Sequence, residues 1–523
     1  MQLYLYSTYA FTISGRLIDL HQRRIYPATI AVDNGIITTI TEINEAPEQY
    51  ILPGFVDAHV HIESSMLVPT AFARMAVVHG TIATVSDPHE IANVCGIPGV
   101  QYMIDNSKHS PFKCFFGAPS CVPATFFETA GAHIDAKATE ELLQNGDIWY
   151  LAEMMNYPGV LYKDAEVMAK LDAAKRIGKP IDGHAPGLMG ETAAQYAAAG
   201  ITTDHECFTL QEALDKIAAG MHILIREGSA AKNFEALHSL ISTHPKHVMF
   251  CSDDKHPDDL VLHHINGHVK RALEKGHDLF NVLTAACVNP VQHYKLPVGQ
   301  LRVGDTADFI VVNNTTDSAV LQNYIGGRFV YDKGKVLLPE VTVTPINNFD
   351  TNPKTITDFA VSTEEGKQQI RVIEAIEGQL VTNELVLPAL IQNGLIVSDV
   401  ANDILKIAVV NRYTKDAPVA TAFIKNFGLK KGALASTVAH DCHNIVAVGA
   451  DDVAITAAVN ALIESKGGIA VAEDANTVLS MPLPIAGLMS AEDGHTVAAQ
   501  YAALDAKAKE LGTSLKAPFM TLS

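Results

Sequence analysis

A (β/α)8 barrel carrying further domains, an α/β protein overall, is the fold class this sequence predicts. Two observations point to it. Eight short apolar segments each end in polar, ionisable or glycine residues, and they recur about every 28 residues, close to the roughly 30 that one βα unit takes. The central stretch that holds them is about 250 residues long, the usual size of such a barrel. The segments are PGFVDAHVH, TIATVSDPH, KCFFGAPS, IWYLAEMM, PIDGHA, ITTDHE, HILIREGS and HVMFCSDD. A doubly wound open sheet gives the same rhythm. The count of eight and the chemistry at the segment ends favour the barrel, where the C-terminal ends of the strands face the active site.

The flanks have a different texture. TISGRLIDL and ATIAVDNGIITTI alternate apolar and polar residues, and Asn34-Gly35 reads as a hairpin turn. ADFIVVNN and GGRFVYDKGKVLL repeat that pattern at 307–338. Residues 1–51 and 301–345 are therefore expected to be two parts of one small β-sandwich domain, split by the barrel at 52–300. Past Pro345, INNFDTNPKTITDF reads as a polar linker. Residues 346–523 are expected to form a C-terminal α/β domain, from strands such as QIRVIEAI, DILKIAVVNR, NIVAVGA and GGIAVAED and helices such as DDVAITAAVNALIES and TVAAQYAALDAKAKELG.

Composition narrows the function. With 48% hydrophobic and 18% charged residues, the chain can bury large cores, which excludes general disorder. Lys plus Arg is 38 against 58 Asp plus Glu, and the net charge of −20 offers no attraction to nucleic acid or to a membrane surface. Seven scattered cysteines without a C-x-x-C pair suit a reducing compartment. No basic leader and no apolar run of about 20 residues is present. The expectation is a soluble cytoplasmic protein.

His59-Val60-His61 is the strongest local signal, because residues two apart on a strand project to the same side and two imidazoles can grip one ion. An isolated H-x-H is more often a pair of ordinary histidines. Here His184, His205, Glu153 and Asp253 sit at other strand ends, and the barrel would bring all six to one rim. Four imidazoles and two carboxylates exceed one open site and suit two divalent ions; buried without cations, the carboxylates would be costly. Other motifs fail. His89-Glu90-Ile91-Ala92-Asn93 lacks the second histidine of H-E-x-x-H. His61-Ile62-Glu63 has no P-C-x-x-C after it, which excludes cytidine-type zinc deaminases. No phosphate-binding glycine loop is present. His440-Asp441-Cys442-His443 lies in strand and turn, where histidines three apart do not share a face, so it is expected to cover the barrel mouth rather than bind its own metal.

Taken in order, LPGFVDAHVHIESS, DPHEIANVCG, EMMNYPGV, IDGHAPG, DHE, REGS and CSDD resemble the adenine deaminases of the amidohydrolase superfamily, as do KKGALASTVAHDCHNIVAVG and GGIAVAEDANTVLSMPLPIAGLMS in the tail. The resemblance covers nearly the whole chain. It implies hydrolysis of adenine to hypoxanthine and ammonia by a hydroxide activated at a binuclear metal centre. It implies that His59, His61 and Asp253 hold one ion and His184 and His205 the other. Glu153 would either bridge them or act beside them as acid/base. Manganese or iron is implied, and the ligand types also permit zinc. Asp253 would carry the hydroxide proton to the leaving amine, and Glu153 or Glu206 would protonate N1. His89, Arg226 and Ser229 are candidates for contacting the purine, Arg226 alternatively forming a structural ion pair. Glu63, Ser64, Ser65 and Asp254 would steady the ligands. The competing readings are a deaminase of another heterocycle such as guanine, and a barrel that has lost catalysis; all six ligand positions being filled disfavours the latter. A homodimer is expected.

Overall fold

The structure is a computed structural model that describes residues 10–229, 231–363, 368–378 and 381–523. The eight predicted segments form β1 (Phe55–Val60), β2 (Thr81–Ser86), β3 (Lys113–Ala118), β4 (Ile148–Met154), β5 (Ile181–Gly183), β6 (Thr203–Asp204), β7 (His222–Arg226) and β8 (Val248–Cys251). Strands β1–β5 make one parallel sheet and β6–β8 another. Two seams join them. The Thr202 N–H donates to the Ile181 carbonyl at 2.9 Å, and past β8 the Asp253 N–H donates to the His59 carbonyl at 3.0 Å, with Val60 and Asp253 in parallel register. Every residue of β1 and β2 is buried, as parallel strands covered on both faces require. The apolar residues stop at the strand ends, and the polar residues that follow form the mouth.

Strands from both sides of the barrel join one eight-stranded sheet, in which Tyr50–Pro53 pairs with Phe11–Asp19 on one side and Phe309–Val312 on the other. The sheet curls on itself where the Ala307 N–H donates to the Gly35 carbonyl at 2.8 Å, closing over Leu17, Ile30, Ile51 and Phe309. Asn34-Gly35 makes the expected hairpin turn, with φ of 49° and 78°. A side chain at Gly35 would meet the Gly326 carbonyl at 2.5 Å.

The C-terminal region builds a second eight-stranded sheet. It holds the four predicted strands and also Asn383–Pro388, Ala420–Lys425, Ala433–Ser436 and Val478–Pro482, which lack a clear alternation in the sequence. Helix Asp452–Ser465, capped by the Asp451 side chain, buries Ala454, Ile455, Ala458, Val459 and Leu462 against it. The expected linker is not free: the Ala486 N–H donates to the Ile346 carbonyl at 2.6 Å, and the Asp350 N–H to the Arg412 carbonyl at 2.7 Å. Ser490 pairs with the segment after β1, accepting from Val68 N–H and donating to the Met66 carbonyl. That pairing sets the C-terminal region beside the mouth.

Candidate metal centre

The six expected ligands meet at the mouth. His59 and His61 leave β1 on the same side, their Nε2 atoms 3.2 Å apart. Asp253 Oδ1 lies 3.5 Å from His59 Nε2 and 3.3 Å from His61 Nε2. Glu153, on β4, divides its oxygens: Oε1 is 3.3 Å from His61 Nε2, while Oε2 is 2.7 Å from His184 Nδ1 and 3.1 Å from His205 Nε2. The rings of His59 and His205 stack with centroids 4.2 Å apart.

Charge is arranged with equal care. Burial opposes ionisation of Glu153, yet His184, His205 and His61 hold it well below the usual carboxylate range. Burial likewise opposes the Asp253 charge, and Arg226 followed by His59 and His61 overcomes it. Arg226 reaches Asp253 Oδ2 at 2.5 Å and grips both oxygens of Glu206. Burial and the neighbouring His205 push His59 down, towards the neutral imidazole that donates a lone pair.

The backbone behind the ligands is pinned by carboxylates. Asp204 accepts from the N–H groups of Ala185 and Glu206 at 3.0 and 2.7 Å, and Lys216 lies 3.2 Å away. Asp57 accepts from the Ser252 N–H at 3.0 Å and pairs with His264 at 2.7 Å, tying β1 to β8.

The residues fit divalent cations. Among the described residues, His59, His61 and Asp253 form one group, and His59, Glu153 and His205 another, each with donor atoms within 4.8 Å of one another. His205 Nε2 is buried and close to Glu153 but without a bond of hydrogen-bond geometry, an uncommon condition that a metal would relieve.

A cavity of about 420 Å³ lies over the cluster, lined by His61, Glu153, His184 and Asp253. His89, Glu206, Arg226 and Asp254 also face it. Ser229 does not: its hydroxyl donates to Asp259 at 2.8 Å and accepts from the His256 N–H, and it lines a neighbouring cavity. This placement does not support its expected purine contact. Asp253 and Asp254 both face the mouth, because β8 ends at Cys251 and Asp253 turns with φ of 54°, so strand alternation no longer separates them.

Glu90 carries no functional marker in the sequence. Its buried carboxylate accepts from His440 Nδ1 and His443 Nε2, reaching from the C-terminal region. The two histidines converge from a turn, with His443 at φ of 52°, so a shared helical face is unnecessary. His440, Asp441, Met520, Thr521 and Ser523 form part of the cavity wall, which is the expected covering of the mouth.

A parallel barrel whose strand ends gather imidazoles and carboxylates is the architecture of a metal-dependent hydrolase. The comparisons agree. The amidohydrolase family pattern matches residues 50–355, and that of the adenine deaminase C-terminal domain matches residues 379–523. An adenine deaminase of Salinibacter ruber is 53% identical over 515 residues, spanning 98% of this chain and 94% of that protein. One of Methanosarcina acetivorans is 54% identical over 97% of this chain and 93% of its own length, and one of a Sulfurovum strain is 55% identical over the same shares. The chain belongs to the amidohydrolase family and, within it, to the adenine deaminases.

Proposed function

We propose that this protein hydrolyses adenine to hypoxanthine and ammonia in purine salvage or catabolism. The observation that carries this reading is the division of Glu153 between His61 on one side and His184 with His205 on the other. That placement supports Glu153 as the group shared by two ions, with His59, His61 and Asp253 serving one and His184 and His205 the other. The donor set suits manganese or iron, and would also accept zinc. When bound, such a cation pair supplies Lewis acidity that brings the pKa of a water from 15.7 towards roughly 7.

The chain's own groups then move protons. Asp253, aligned by Arg226, takes a proton from the attacking water at Oδ1 and passes it to the amine at C6, which leaves as ammonia. The proton that ring N1 takes up is the second proton of the attacking water, relayed by a carboxylate that lines the cavity, Glu153 or Glu206. His89 lines the cavity, and its Nε2, 3.4 Å from Glu90 and 3.5 Å from Asp441, makes no hydrogen bond, which supports its contact with the base. Arg226 is assigned to aligning Asp253 rather than to the purine. We further propose a cytoplasmic homodimer. All seven cysteines are free, in keeping with a reducing compartment, and among the described residues no helix is long and apolar enough to cross a membrane.

The test is ammonia release from adenine, adenosine, guanine and cytosine with manganese-loaded enzyme. Adenine should be turned over fastest; faster release from any other base would overturn the substrate assignment.

A further inference from the structure

His440 is held through its ring and through its main chain. Its Nδ1 meets Glu90 Oε1, and its main-chain N–H donates to Ser523 Oγ at 3.1 Å. His443 fills the other Glu90 oxygen: its Nδ1 accepts from the Ala439 N–H at 3.2 Å, so its Nε2 carries the hydrogen given to Glu90. Glu90 has thus spent both oxygens on this clasp, and His440 cannot turn away from the cavity without breaking it.

What remains is His440 Nε2. It is buried and has no hydrogen-bond partner, and its residue lines the cavity over the metal cluster. Asp254 Oδ1 lies 4.0 Å from it, steadied by a 2.6 Å hydrogen bond from Ser64 Oγ. Although burial opposes it, the charges of Glu90 and Asp254 push His440 up to about 10, so this nitrogen carries a proton. A buried donor beside a carboxylate acceptor is therefore left facing the space the substrate must occupy. Leaving such a donor unpaired is costly, so the site calls for a ligand that offers His440 an acceptor, with a donor beside it for the Asp254 carboxylate.

Adenine has that edge. In its six-membered ring N3 stands para to C6, directly away from the reacting carbon, and N9–H lies next to it. With C6 at the metal cluster, the N3/N9–H edge lies on the far side of the ring, towards the part of the cavity wall that Asp254 and His440 share. We propose that His440 and Asp254 read this edge, His440 Nε2–H donating to N3 and Asp254 accepting from N9–H, so that the C-terminal region and the barrel together select a free purine base. A nucleoside carries its sugar on N9 and cannot make the second bond. The inference rests on the adenine reading above and adds the recognition of the far edge.

The experiment compares adenine, 3-deazaadenine and 9-methyladenine as competitive ligands of the metal-loaded enzyme. Each analogue should bind at least about tenfold more weakly than adenine to the native protein. His440→Ala should raise KM for adenine by about tenfold, leave kcat within about threefold and metal content unchanged, and remove most of the discrimination against 3-deazaadenine. Asp254→Ala should do the same for 9-methyladenine. Equal binding of the three compounds to the native protein overturns the proposal, and needs no variant to fold. A His440→Ala enzyme with lower kcat and melting temperature but intact discrimination also overturns it, assigning the histidine a structural role. Failure of the native enzyme to release ammonia from adenine is a separate result that counts against the function itself.

Discussion

At Asp253 two demands meet: one oxygen faces the imidazoles of β1 and the other is taken by Arg226. Asp253→Asn keeps the shape and removes the proton acceptor, so turnover should fall by about 10²–10⁴-fold while the melting temperature stays near that of the native protein. Near-normal rates would refute its role. Arg226→Met should also slow turnover, by leaving Asp253 and Glu206 without their shared buried cation, and should destabilise the fold by about 3–5 kcal/mol in a denaturant titration. Most of the cluster was legible in the sequence because its residues sit at the ends of periodic apolar segments, where spacing alone marks them. Glu90 was not. Its partner His440 is 350 positions away, and no local pattern joins them. Ser229 stands at a strand end too, yet its hydroxyl is drawn to Asp259, a partner that strand-end position alone does not reveal.

Among the elements, the short strands β5 and β6 carry His184 and His205 just beyond their ends with few hydrogen bonds of their own. The Asp204–Lys216 pair compensates: Lys216 also donates to the Ala185 carbonyl at 2.7 Å and to Glu212 at 2.9 Å, wholly out of solvent. Lys216→Met should therefore cost about 3–5 kcal/mol, read by chemical unfolding, and should loosen metal retention by disturbing the turns that present both histidines. Unchanged stability and metal content would contradict this. The barrel was legible at this scale because eight βα units repeat a single rhythm. The C-terminal sheet was only half legible, since strands such as Asn383–Pro388 are half-exposed and short, with no apolar period to mark them.

For the whole molecule, acid should be the weak side. Burial holds His79 and His263 down to about 4 and His293 to about 3. In the unfolded chain each would take up a proton near pH 6.5, so their contribution is intact above that value. It is lost as pH falls from 6.5 through 4, at up to about 1.4 kcal/mol per pH unit for each group. Thermal melting between pH 7.5 and 4.5 should show a steep decline; a flat profile would contradict it. The clasp of Glu90 by His440 and His443 makes the barrel and the C-terminal region one functional body, since the catalytic cavity has walls from both.

The central claim is that imidazoles and carboxylates from six places in the chain jointly bind the cations on which deamination depends. Metal content per chain, measured by plasma mass spectrometry alongside ammonia release for the native protein and Glu153→Ala, tests it most directly. The account predicts about two divalent ions in the native protein, fewer than one in the variant, and loss of deamination with them. A metal-free native protein that deaminates adenine at full rate, or a variant that keeps both ions, would contradict it.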